Sequence, residues 1–392
     1  MKKEEVFAVY KENILPTYSK VPLVFVKGKG SKLFDLDSRE YLDFFPGWGV
    51  GNLGHCHPKV MQAVRDQVSK LIFIPNNYYH LAQAKLAAEL VRVSFPGKVF
   101  FCNSGAEANE AAIKFSRKFG NGRYEVITFE NSFHGRTLAA LAATGQKKYQ
   151  DGFAPMPEGF KTVKYNDLEA AKSAITDKTA AIMLELVQGE GGINVAEKDF
   201  VLALRKICDE KKLLLIIDEV QTGIGRTGKM FCFQHYGITP DLLTLAKALG
   251  GGLPIGVMIA RKEISDTLGP GMHASTFGGG PVICRAALAV LQAIEKEKIL
   301  NHVTQMGAYL FGRLEELKKT FTVIKDVRGI GLMAGIELNI PGKQIVENCL
   351  QKRLLINCTH DKVLRLMPAL NVSKGNVDKA VRIIKEEMKR CG

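Results

Sequence analysis

No two cysteines in this 392-residue chain are spaced C-x-x-C, although eight are present. The redox and zinc readings that need that spacing lose their basis, and several of the eight lie in apolar context, as reduced thiols of a cytoplasmic protein would. His55-Cys56-His57 is the one His/Cys cluster. Adjacent residues rarely all point at one ion, so no metal is expected. Long hydrophobic runs are missing too: none reaches the ~18 apolar residues of a membrane span. Met1-Lys2-Lys3-Glu4-Glu5 has no apolar core of a secretory signal. Lys and Arg exceed Asp and Glu by 54 to 40, a net +14, yet there is no basic block. The lysines are scattered singly or in pairs such as Lys147-Lys148, without interleaved aromatics, so a nucleic-acid partner is not expected. The positive field would instead draw in small dianions. Internal repeats and low-complexity segments are also lacking.

What is present is a regular alternation. The chain is 46% hydrophobic and 24% charged, enough for two or three domains around a substantial core. Pro22 to Val26 and Lys32 to Asp37 read as short strands. From about residue 59, apolar runs at 98–102, 125–129, 179–186, 213–217, 241–245 and 255–260 alternate with helical patterns, notably 81–93, 105–119 and 199–211. Short apolar strands between helices predict an α/β fold with a mostly parallel sheet covered on both faces. After about residue 280 a helical run, 284–319, leads into strands at Val323–Val327, Leu332–Leu338, Leu354–Cys358 and Val363–Met367, then a closing helix at 376–390. This predicts a smaller α+β unit. The expected division is 1–50, 51–280 and 281–392.

Lys247 carries the strongest chemical signal. It stands in Leu242-Leu243-Thr244-Leu245-Ala246-Lys247-Ala248-Leu249-Gly250-Gly251-Gly252, an amine at the end of an apolar strand. Burial there disfavours the ammonium form and leaves the free base that a carbonyl needs. Upstream, Leu213-Leu214-Leu215-Ile216-Ile217 ends in Asp218-Glu219-Val220-Gln221. An amine at one strand end and a carboxylate at the next suit pyridoxal phosphate (PLP). Lys247 would form the Schiff base, and Asp218 would keep a proton on the pyridine nitrogen so that the ring acts as an electron sink. Gln221 is placed to reach the phenolic oxygen of the same ring.

Ser104 and Gly105 sit where a helix N-terminus exposes free N–H groups, a cradle for phosphate. The alternative is a plain N-cap, with Ser104 and Glu107 forming a capping box. In Phe133-His134-Gly135-Arg136, Phe133 is placed to stack on a cofactor ring and Arg136 to hold a carboxylate through two hydrogen bonds. Gly223-Ile224-Gly225-Arg226-Thr227-Gly228 matches G-x-G-x-x-G, but Asp218 to Thr222 separate it from the strand and no convincing helix follows. A nicotinamide oxidoreductase is therefore not supported, and a flexible glycine loop is expected.

Taken together, Ile217-Asp218-Glu219-Val220-Gln221-Thr222-Gly223, Gly225-Arg226-Thr227-Gly228, Pro240-Asp241 and Ala246-Lys247-Ala248-Leu249-Gly250-Gly251-Gly252 resemble the signature of class III (omega) PLP-dependent aminotransferases. The resemblance runs from Gly54-His55-Cys56-His57-Pro58 to Arg365. It implies PLP fold type I, like aspartate aminotransferase: a large PLP-binding α/β domain (51–280) and a small α+β domain (281–392) joined by the N-terminal segment (1–50). It also implies a homodimer with shared active sites. Lys247 becomes the Schiff-base lysine and proton shuttle, Asp218 the pyridine partner and Gln221 the contact to the ring oxygen. Phe133 and Val220 flank the ring, while Ser104, Gly105 and Ala106 bind the phosphate. Thr276 would reach the phosphate of the partner subunit's cofactor, with its neighbour Ser275 on the substrate side.

Three residues speak to substrate. In the ornithine-type subgroup, the arginine matching Arg136 holds the carboxylate far from the reacting amine, and that matching Arg365 takes the α-carboxylate of glutamate. The glutamate matching Glu190 covers Arg365 when the donor is an ω-amine, because an unpaired buried guanidinium is costly. The alternative is a structural ion pair. The chain most resembles the bacterial enzymes that exchange the δ-amine of N-acetylornithine with 2-oxoglutarate in arginine biosynthesis. Ornithine, succinylornithine, succinyl-diaminopimelate and 4-aminobutyrate are alternative substrates. Trp48 stands where such enzymes usually carry a small aliphatic residue; it is expected to line the substrate tunnel and bear on the acyl group accepted.

Overall fold

The computed structural model describes residues 1–390. The six apolar runs are strands: Gly97–Cys102, Glu125–Phe129, Thr179–Leu184, Leu214–Asp218, Leu242–Leu245 and Gly256–Arg261. With Phe160–Val163 they form one seven-stranded sheet, in the spatial order 97–102, 256–261, 242–245, 214–218, 179–184, 125–129, 160–163. Gly256–Arg261 runs antiparallel to both its neighbours, and all other pairings are parallel.

Burial on both faces explains why these strands are mostly apolar, with polar residues chiefly at their ends. Leu214 and Ile216 pack with Ala111, Ala112 and Phe115 of helix Gly105–Gly120. Leu215 and Ile217, pointing the other way, join the main core. The helix starts on Ser104, whose hydroxyl accepts the Glu107 N–H at 3.1 Å, and stops at Asn121 with a left-handed φ of 46°. Small side chains at Ala108, Ala111 and Ala112 let it lie close on the sheet.

The remaining chain builds two further four-stranded sheets and a small hairpin. Ile324–Ile330, Met333–Leu338, Val363–Leu366 and Asn357–Thr359 form an antiparallel C-terminal sheet, on which helix Ile299–Thr320 packs. Phe25–Lys29, Lys32–Asp35 and Glu40–Asp43 pair in sequence, and Leu354–Leu355 adds to Glu40–Asp43 in parallel. The run 354–358, expected as one strand, therefore divides between two sheets. The run 284–319 is likewise two helices, Pro281–Lys296 and Ile299–Thr320, parted at Lys298 with φ 53°. Helix Pro281–Lys296 packs on helices Pro58–Val68 and Leu81–Val93.

His55 and His57 go separate ways, to Asp43 at 2.7 Å and Glu297 at 3.3 Å. The described cysteines are free thiols, and Cys391 lies outside the described residues. Among the described residues no helix is long and apolar enough to cross a membrane.

The segment Gly223–Gly228 is not the flexible loop expected from its glycines. Gln221 to Thr227 are all buried, and Arg226 fully so. Its guanidinium donates to the carbonyls of Leu332 (3.0 Å) and Pro368 (2.5 Å) and to Asn52 Oδ1 (2.5 Å). No carboxylate is among these partners, and burial lowers its pKa to about 9. Arg226 thus ties the central sheet to the N-terminal segment and to the C-terminal sheet. Arg226→Ala would strand three buried acceptors, at about 1–3 kcal/mol each, offset in part by removing a buried cation. The expected net loss is roughly 3 kcal/mol, read as a lower midpoint in urea unfolding, with a smaller drop for Arg226→Lys. An unchanged midpoint for Arg226→Ala would contradict the fastening role.

Candidate active site

The segments that follow five strands converge at one edge of the central sheet. They bring Ser104 and Gly105, Phe133 and Arg136, Glu185 and Glu190, Asp218 to Gln221, and Lys247. The carboxyl ends of parallel strands are the usual ligand edge of such sheets. Together these segments line a cavity of about 460 Å³ that also receives Val50, Ala106, Asn109, His134 and Ile255.

Lys247 opens a short 3-10 turn, Lys247–Gly250, with a left-handed φ of 42°. An L-residue holds that conformation at a cost of roughly 1–2 kcal/mol, so the surrounding turn must impose it. Burial lowers the pKa of its amine, against the pull of Glu190, Asp218 and Glu185 towards the charged form.

Asp218 is 3% exposed. Its Oδ2 accepts from Asn109 Nδ2 and His134 Nδ1, each at 2.8 Å, and its Oδ1 accepts from the Val220 N–H at 3.0 Å. Asn109 Nδ2 also donates to the His134 carbonyl at 2.6 Å, which closes a rigid triangle. Sequence reading missed this role for both residues. They come from 84 and 109 positions away, and no local spacing signals such contacts. Glu219 turns the other way and accepts the N–H groups of Cys232 and Phe233, its pKa pushed by burial to about 8.

Capping and cradle coexist at the start of helix Gly105–Gly120. Ser104 caps the helix and Glu107 reaches back to the Asn103 N–H. The N–H groups of Gly105 and Ala106, in the first turn, have no intrahelical acceptor. A Cβ on Gly105 would stand 2.7 Å from Val220 Cγ1, so only glycine lets the helix end approach Val220 this closely.

Phe133 faces Tyr149 edge-on at 5.7 Å, and its N–H donates to Glu185 Oε1 at 2.8 Å. The other oxygen of Glu185 accepts the Gly189 N–H at 3.1 Å, and burial pushes this carboxyl up to about 7. Arg136 is exposed and lies over the Tyr149 ring at 4.0 Å.

Arg365, on strand Val363–Leu366, is fully buried. Its Nη1 donates to the Gly189 carbonyl (2.5 Å), Glu190 Oε1 (2.6 Å) and Gln221 Oε1 (3.4 Å), and its Nε to Asn357 Oδ1 (3.0 Å). Nη2 has no hydrogen-bond partner among the described residues, and the group rests on the Phe45 ring at 4.6 Å. Burial alone would raise the Glu190 carboxyl, but Arg365 beside it holds it below its ordinary value.

Trp48, Ser275 and Thr276 are not brought to this cavity. Trp48 is half exposed with φ 56° and meets Phe45, the ring under Arg365, edge-on at 5.6 Å. Ser275 Oγ accepts from Asn103 Nδ2 at 3.2 Å and from the Gly278 N–H at 3.1 Å. Thr276 is exposed and lines a separate hollow with Phe100, Asn103 and His273.

The residues present fit pyridoxal phosphate. Free helix N–H groups beside a glycine the site cannot enlarge suit a phosphate. A carboxylate oriented by three donors suits a pyridinium, and a desolvated amine suits a carbonyl. The unpartnered, buried Nη2 of Arg365 suits a substrate carboxylate.

Comparison with known proteins agrees with this geometry. Residues 14–388 match the family described as aminotransferase class-III. The acetylornithine aminotransferase of Methanocaldococcus jannaschii is 52% identical over 391 residues, 98% of each chain. Among solved structures, the ornithine aminotransferase of Toxoplasma gondii ME49 superposes with a TM-score of 0.96 at 30% identity, covering 100% of this chain and 96% of that one. The acetylornithine aminotransferase of Elizabethkingia anophelis gives 0.89 at 29% identity, covering 100% of both chains. A match over nearly the whole length, with the lysine, carboxylate and helix N-terminus assembled at one sheet edge, places the chain among the class III aminotransferases, which depend on pyridoxal phosphate.

Proposed function

We propose that this aminotransferase exchanges the δ-amine of N-acetylornithine with the oxo group of 2-oxoglutarate, a step of arginine biosynthesis. The observation that carries the reading is the Glu190–Arg365 pair: a fully buried guanidinium with one spare nitrogen, covered by a carboxylate at the cavity wall. Glutamate, arriving with its own α-carboxylate, displaces Glu190 and takes Arg365. The ω-amine substrate brings no carboxylate to that end, so Glu190 stays and Arg365 is never left uncompensated. Arg136, exposed at the opposite wall, holds the carboxylate remote from the reacting amine. The names of the relatives favour the acetylated substrate.

Bound pyridoxal phosphate supplies the electron sink that acidifies the C–H bond beside the amine. Ser104, Gly105 and Ala106 would hold its phosphate, Asp218 its ring nitrogen and Gln221 its ring oxygen, with Phe133 and Val220 flanking the ring. Lys247 Nζ would hold it covalently and would move the proton at the substrate carbon. Asn109 and His134 fix the Asp218 carboxylate that would face the ring.

The proposal includes a homodimer in the cytoplasm with Ser275 and Thr276 serving the partner's site. Next to Thr276 lies an exposed apolar area, where Phe277 packs on Phe73 at 5.5 Å with Ile72 nearby in sequence, more than isolated surface residues would leave uncovered. Sedimentation should give twice the 43.1 kDa chain mass, and Phe277→Glu should yield monomers with little activity. An active monomer would refute the shared site.

A substrate panel tests the reaction itself, with Lys247→Ala as the inactive reference. The highest kcat/KM is expected with N-acetylornithine; a clear preference for ornithine or 4-aminobutyrate would replace the proposed substrate. Single-turnover absorbance of the two half-reactions tests the pair. Glu190→Ala should weaken the N-acetylornithine half and spare or improve the glutamate half. Arg365→Ala should do the reverse, at a cost of roughly 2–5 kcal/mol in glutamate binding. Equal slowing of both halves by Glu190→Ala would make the pair structural.

A further inference from the structure

Glu190 sits in a turn whose peptides are unusually well tied down. Strands Val187–Gln188 and Asn194–Val195 pair, and residues 189–193 connect them. Four consecutive carbonyls of this turn each accept a side-chain donor. Gly189 O accepts from Arg365 Nη1 at 2.5 Å, and Glu190 O from Thr359 Oγ1 at 2.7 Å. Gly191 O accepts from Asn194 Nδ2 at 2.8 Å, and Gly192 O from Arg328 Nε at 3.0 Å and Nη2 at 2.7 Å. Three of the four donors belong to the C-terminal sheet. Arg328 is itself braced by Glu337 and Asp326, and Thr359 is buried.

We infer that Thr359 and Arg328 are positioning residues for the substrate switch: they lock the backbone of the turn, so that Glu190 leaves and regains Arg365 by side-chain rotation alone. The inference rests on the reading of Glu190 as the cover of Arg365. A cover works only if it returns to the same place in every cycle, and each mobile peptide in the turn would add ordering entropy to that return. The bond from Arg365 to the Gly189 carbonyl does not involve the Glu190 side chain. The guanidinium therefore stays aimed when a substrate carboxylate takes the place of Glu190. Loosening the turn penalises the covered arrangement, which the ω-amine substrate needs, and not the open one, which glutamate uses.

The test is single-turnover kinetics of both half-reactions in the holoenzyme. Thr359→Val keeps shape and burial but removes the donor. It should raise the half-saturating N-acetylornithine concentration about 5-fold, the equivalent of one net hydrogen bond, and leave the glutamate value within about twofold. Thr359→Ser, which retains a hydroxyl, should recover most of the loss. Arg328→Gln should shift the same half-reaction in the same direction, and it stands in if Thr359→Val does not fold. If Thr359→Val and Arg328→Gln alter both halves equally or neither, while Glu190→Ala remains selective, the locking role is wrong and the switch survives. If Glu190→Ala itself affects both halves equally, the switch fails and the inference goes with it.

Discussion

A guanidinium taken out of water must face oxygen atoms, and two such groups hold this molecule in register. Arg365 reaches from the C-terminal sheet to Gly189, Glu190 and Gln221 beyond the central sheet. Arg226 reaches the opposite way, from the central region to Leu332 and Pro368. Neither can be pulled from its partners without exposing a bare charge to an apolar interior. The C-terminal sheet is therefore located by the same kind of contact that holds Glu190 and Gln221 at the cavity wall. The proposed substrate recognition and the mutual placement of the sheets share a single requirement.

The cavity is lined by groups of opposite electrostatic character. The helix N-terminus at Gly105 supplies positive potential, and Asp218 supplies negative charge, steadied by His134 and Asn109. Lys247 lies among Glu190, Asp218 and Glu185, yet burial still wins over their attraction and lowers its pKa. Glu185 links the Phe133 segment to the Gly189 turn through two N–H groups. One buried carboxyl thereby ties the Phe133 segment to the turn that carries Glu190.

What the chain disclosed by itself follows from where its forces act. The strands of the central sheet were legible because burial on both faces makes them mostly apolar; Phe160–Val163 was not, since half of this short edge strand is Lys161 and Thr162. Helix Lys3–Asn13 buries no residue, so it has no apolar stripe to read. Lys247 and Asp218 stood in motifs whose types and spacing suggest their chemistry, whereas Glu190 and Arg365 were singled out through the family resemblance. The His134–Asp218–Asn109 triangle and the Thr359 bond to Glu190 depend on long-range closure, which no window of sequence contains. The glycines at 223, 225 and 228 misled for a related reason. They suggest mobility, whereas here they let the chain pack tightly around Arg226.

The parallel pairing of Leu354–Leu355 with Glu40–Asp43 also has a meaning for biogenesis. Roughly three hundred residues must leave the ribosome after the first strand before its neighbour exists, a delay of tens of seconds at ordinary elongation rates. Throughout that interval Glu40–Asp43 is an open edge able to recruit another chain, and Arg226 waits for carbonyls that have not been synthesised. The synthesis of Leu354–Leu355 is thus the event that ends this edge's exposure to mispairing.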